Sequence, residues 1–218
     1  MRTGRSSSFA IAGVGLIAIL AAAWTGGSAY AIDLKLTMDE AKKALTTSRE
    51  TMEKAKNQEE ATKVGHQVFS PYRVGADPEK EPCAPSAELH TKRYWLAWFG
   101  GTEAAESKKR NEAVRMPDAK VQTLLDMPLM EIEVHFCGNE EYFAEGAELA
   151  IQQAGKTIRP VDMSPAVKGR PVKDKGFRST LKGRFAYDSF DPNAKTKIMV
   201  TFPDGKMTEI GADFSKVK

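Results

Sequence analysis

Along the second half of the chain apolar and polar residues alternate, the period of a half-buried β-strand, whose successive side chains point to opposite faces. Met130, Ile132, Val134 and Phe136 alternate with Glu131, Glu133 and His135, and Ala147, Leu149 and Ile151 alternate with Glu148 and Gln152. Residues 157–161, 181–187 and 198–202 carry shorter stretches of the same kind, and the aromatic-rich run 92–99 is expected to form another strand. Ala154-Gly155 is a turn pair. Phe202-Pro203-Asp204-Gly205-Lys206 is a turn with a mechanism: proline presets φ, and glycine takes the left-handed position before a last strand ending near Phe214. Between the first two strands, residues 102–115 and 117–126 are expected to be helices, opened by a cap residue and by a proline at the first helical position. The pattern predicts a mainly β chain with helical additions: about seven strands, the count of an immunoglobulin-like β-sandwich, with a helical insertion at about 102–126. That description is architectural and carries no activity with it.

Residues 37–64 follow a helical period. Thr37 is a good N-cap, Glu40 completes a capping box, and helix formers run without proline until Gly65 ends the helix. Met38, Ala41, Leu45, Ser48, Met52 and Ala55 make a thin apolar stripe that Glu59 and Thr62 do not continue. This long N-terminal helix is therefore expected to lie along the main domain rather than pair with itself. Pro71, Gly75, Pro78, Pro82 and Pro85 then mark a linker or extended arm. The expected organisation is a helical segment at 32–69, a proline-rich linker at 70–90 and the strand-built domain at 91–218.

The first 31 residues have a separate purpose. Arg2 and Arg5 precede an apolar run from Phe9 to Trp24, and Ala29-Tyr30-Ala31 offers a small-residue cleavage site. The run is shorter than the roughly 20 residues that cross a bilayer. Cleavage is expected after Ala31, giving a periplasmic or secreted protein with no stable membrane insertion; the alternative is an uncleaved signal anchor. Removing 31 of 218 residues leaves 187, enough for one substantial core. Arg2 and Arg5 leave with the leader, so 30 of the 32 basic residues face 29 acidic ones, a balance that argues against bulk nucleic-acid binding. Export allows oxidation, and Cys83 and Cys137 are expected to form a disulfide, worth about 4 kcal/mol on the chain-entropy model for a loop of this length.

Several apparent chemical signals have cheaper explanations. Gly155-Lys156-Thr157 imitates a phosphate-binding loop, but Ala150 stands where that loop needs glycine. His135 and Cys137 share a strand face, yet His66 and His90 lack metal-ligand spacing, so no metal or cofactor is expected. Glu131 and Glu133 also share a face, as a glycosidase acid and base would, but exposed alternation explains them more cheaply. Asp188, Asp191 and Asn193 around Pro192 suit a turn better than a calcium loop. No Gly-x-Ser-x-Gly elbow occurs.

Two surfaces remain as candidates. Tyr94, Trp95, Trp98 and Phe99 could stack on sugar rings if exposed, although burial beneath the N-terminal helix is favoured. Charge is also uneven: residues 121–155 hold seven acids and no Lys or Arg, and then the sign reverses. Lys168, Arg170, Lys173, Lys175 and Arg178, kept irregular by Gly169, Pro171 and Gly176, form a basic loop suited to an acidic partner. The expectation is an exported, non-enzymatic binding protein of the cell envelope, its partner another envelope protein or an anionic glycan. A carbohydrate-binding module using Tyr94, Trp95 and Trp98 is the first alternative. An envelope hydrolase built on Glu131, Glu133 or His135 is the second.

Overall fold

The alternation at 129–138 builds the central strand of the larger of two antiparallel sheets. A computed structural model describes residues 32–173 and 175–217; the expected leader and its expected cleavage site lie outside the described residues. The larger sheet contains β1 (Arg73–Gly75), β2 (Ser86–His90), β3 (Leu129–Gly138) and β8 (Gly176–Ala186) in that order. Two short strands, β6 (Asp162–Ser164) and β7 (Arg170–Val172), both pair with β8. The smaller sheet runs β10 (Met207–Asp213), β9 (Lys195–Thr201), β4 (Glu148–Gln153) and β5 (Lys156–Ile158). Four helices complete the described chain: α1 (Met38–Glu53), α2 (Gln58–Phe69), α3 (Lys92–Arg110) and α4 (Asp118–Leu125). Helix and strand contribute in comparable measure, so the chain is mixed rather than mainly β.

Both sheets turn one face into a shared core. Met130, Ile132, Val134 and Phe136 of β3 and Leu181 and Phe185 of β8 meet Leu149, Ile151, Ile198, Val200 and Ile210 of the smaller sheet. Each such side chain, fully buried, contributes about 1.5–3 kcal/mol. Ile32 also lies in this core, 1% exposed. A second, smaller core joins α1, α3 and α4 through Ala41, Leu45, Leu96, Val121 and Leu125. The β9–β10 hairpin forms as its turn sequence dictates, with Gly205 in the left-handed region at φ 81°.

Five expectations are corrected. Residues 92–99 are the first half of α3, not a strand. Thr91 caps that helix by accepting from the Tyr94 amide, and the run holds no β-branched residue to favour a strand. The expected helix at 102–115 is the rest of α3, which ends at Asn111 in a left-handed cap. The expected helix at 37–64 is two helices, because Asn57 caps a new start by accepting from the Glu60 amide, and Gly65 lies inside α2. The proline-rich stretch contains β1 and β2, and the basic loop at 168–178 is regular enough to pair as β7 with β8.

The N-terminal segment and the helical layer are held by specific contacts. Ser48 donates to the Ala97 carbonyl at 2.6 Å where α1 and α3 cross, and Gly100 makes that crossing possible. Buried Lys92 donates from Nζ to the carbonyls of Leu34 and Leu125, joining the N-terminal segment, α3 and the end of α4. Arg49 pairs with the buried Glu103 at 2.9 Å. Among the described residues no helix is long and apolar enough to cross a membrane.

Candidate binding face

Strand parity puts Glu131, Glu133, His135 and Cys137 of β3 on the face of the larger sheet that points away from the shared core. Register then arranges the outer face in rows. Arg73, Glu88, Glu133 and Lys182 lie side by side across β1, β2, β3 and β8. The next row is His90, Glu131, Arg184 and Asp162. On the other side comes Ser86, His135 and Thr180, and beyond it Cys137, Arg178 and Arg170.

The first two rows are electrically closed. Arg73 pairs with Glu88 at 2.7 Å, and Lys182 sits 2.7 Å from Glu133 and 3.4 Å from Glu131. His90 lies among three carboxylates, its Nδ1 2.9 Å from Glu131 and its Nε2 3.6 Å from Glu88 and 3.9 Å from Glu133. Tyr94 stacks on its ring at 4.1 Å and Trp95 meets it edge-on, so the first turns of α3 roof this end of the face. Burial works against the charged imidazole, but its hydrogen bond to Glu131 and the nearby Glu88 and Glu133 carboxylates outweigh it and raise its pKa. Glu88 is held at about 2: burial would raise it, and the neighbouring His90 imidazole and the Arg73 hydrogen bond prevail. The His90 hydrogen bond likewise lowers Glu131. His135, by contrast, is lowered chiefly by burial, despite the Glu133 carboxylate 3.7 Å away.

This arrangement limits the chemistry. The ligand atoms of His90, Glu131 and Glu133 lie within 4.8 Å of one another, close enough for a metal ion, but the Lys182 ammonium already supplies the positive charge there. A general acid needs a raised pKa. Glu88 and Glu131 are shifted the other way and act as counter-charges.

The last row is open. Arg170 and Arg178 stand directly opposite each other across β7 and β8 and line a cleft of about 490 Å3 with His135, Thr180, Glu133 and Lys168. Opposed like charges destabilise a sheet unless something neutralises them. Neither arginine has an ion pair among the described residues, and the same holds for Lys173 and Lys175 at the hairpin tip. Four other cations of the basic run, Arg159, Lys168, Lys182 and Arg184, pair with Glu148, Glu141, Glu133 and Asp162. The expected basic loop is thus a hairpin whose cations, Lys168 apart, have no ion pair among the described residues. The Cys83–Cys137 disulfide lies along the hairpin, its Cα atoms 5.1 Å apart, with Cys137 opposite Arg178 and Cys83 beside the Lys175 carbonyl at the tip.

The aromatic candidates divide. Tyr94 is buried, Trp95 half-buried against the shared core, and Phe99 half-buried against the helical core; Trp98 alone is largely open, 42% exposed, with Trp95 and Phe99 edge-on to its ring. They line one helix instead of a flat platform. Sequence reasoning missed Arg73, Glu88, His90 and Lys182. The signal for two of them, Glu88 and His90, was the alternation of Ala87 and Leu89 with Ser86, Glu88 and His90, hidden directly behind a proline-rich stretch. Comparison with protein-family models and with curated proteins finds no match.

Proposed function

We propose that this chain is an exported, non-enzymatic binding protein of the cell envelope, an immunoglobulin-like β-sandwich that holds an anionic partner against the β7–β8 hairpin. The carrying observation is the set of cations on that hairpin, Arg170, Lys173, Lys175 and Arg178, that have no ion pair among the described residues, beside a face whose other charges are neutralised. Unpaired surface charge steers and selects a partner more than it stabilises the fold. The leader sequence and the disulfide support export. The ionised, countered carboxylates support binding over hydrolysis, and the dispersed aromatics give a sugar platform little to work with.

Retention on immobilised dextran sulfate and on immobilised poly-glutamate tests the proposal. The Lys173→Glu/Lys175→Glu protein is expected to elute at distinctly lower salt than the native chain. A charge-matched Lys63→Glu/Lys120→Glu protein, altered on exposed helical positions, is expected to elute with the native chain. Equal loss in both variants would reduce the effect to bulk charge and remove the hairpin from consideration.

A further inference from the structure

A second surface borders the basic hairpin. Six large apolar side chains are exposed among the described residues, and three of them, Tyr142, Met163 and Val167, ring one groove of about 560 Å3. The groove shares Val167 and Lys168 with the cleft that Arg170 and Arg178 line. Apolar side chains gathered in one place beside the Arg170 and Arg178 cations mark a surface suited to a partner with both characters.

Building on the anionic-partner reading, we propose that the partner is an acidic polypeptide segment. Its carboxylates meet Arg170 and Arg178, and neighbouring apolar side chains fill the groove of Tyr142, Met163 and Val167. The lining favours a polypeptide over an anionic glycan. A sugar ring stacks on a flat, open aromatic face. Met163 and Val167 are aliphatic, and the Tyr142 ring already carries the Lys168 ammonium, 5.5 Å from its centroid. Charge complementarity sets the direction as well: the hairpin end is cationic, whereas Glu145 and Glu148 line the groove itself. The segment's acidic residues therefore belong at the hairpin and its apolar residues in the groove.

The test titrates the purified chain with three labelled probes: a short peptide of glutamates interspersed with leucines, a charge-matched peptide with serines in place of the leucines, and dextran sulfate. The leucine peptide is expected to bind about tenfold more tightly than the serine peptide, the effect of partly burying one or two apolar side chains. Tyr142→Ser/Val167→Ser, altered at positions 58% and 49% exposed, is expected to erase that difference. Met163→Ser provides an independent second variant, and melting curves measured beside the titrations separate lost contact from lost fold. Equal affinity for the two peptides, or binding of dextran sulfate alone, overturns the polypeptide partner and leaves the anionic reading standing. Binding that Arg170→Glu/Arg178→Glu does not weaken overturns the anionic reading itself, and failure of all three probes to bind overturns both.

Discussion

His90 is an outward residue of β2 that ends up 3% exposed, so its charge state is coupled to folding. Facing it are Glu88 on its own strand, Glu131 and Glu133 on β3, the Lys182 ammonium that pairs with both of those, and the rings of Tyr94 and Trp95 from α3. Its folded pKa lies above the ordinary 6.5, so its stabilising contribution is complete below that value and is lost as pH rises through the raised one. Glu88 and Glu131 are lowered, so their contribution is complete above 4.5 and is lost as pH falls through the lowered values, about 2 for Glu88. His135 opposes His90: its pKa is lowered, and below 6.5 the unfolded chain takes up a proton that the folded chain resists. Thermal unfolding of His90→Gln followed across pH is expected to lose the alkaline decline that the native protein shows above 6.5. Parallel curves for the two proteins would show that His90 titrates without regard to its carboxylates. The shared face of Glu131 and Glu133 was legible in the sequence, but the place of His90 and Glu88 beside it was not, because β2 directly follows a proline-rich stretch and its five residues offer only two core positions, Ala87 and Leu89. The unpaired cations were legible, since a run of charge needs no fold to be seen.

Elements with a long, strict period were legible, and those whose partner decides their conformation were not. β3 and the β9–β10 hairpin follow from alternation and turn chemistry alone. α3 does not, because Gly100-Gly101 resembles a break, whereas in the fold it is a packing device. A methyl group on Gly100 would overlap the Leu45 carbonyl oxygen and lie 3.0 Å from Ser48 Cβ, so α1 and α3 would have to separate. A methyl on Gly101 would meet only Met52 Cγ, at 3.6 Å. Gly100→Ala is therefore expected to destabilise by about 1–3 kcal/mol through overpacking. Gly101→Ala is expected to stabilise by up to about 1 kcal/mol through helix propensity. Denaturant unfolding of the two variants checks both signs, and two stabilised proteins would mean that the helices have slack at their crossing.

At the scale of the molecule, the two sheets share a core that extends to the first described residue. Ile32 is buried in it, Asp33 pairs with Arg93, and the Leu34 carbonyl accepts from Lys92. Removal of the leader after Ala31 is expected to leave Ile32 as the first residue, which mass spectrometry of the exported protein checks directly. An anchor reading predicts the intact chain in membranes instead. Ile32 is also the residue that would follow the scissile bond, and a protease grips its substrate as an exposed, extended strand. A residue that is 1% exposed cannot be gripped in that way. A cut after Ala31 would therefore have a deadline: the enzyme would have to act while Ile32 is still outside, and a chain that closed first would carry its address label permanently.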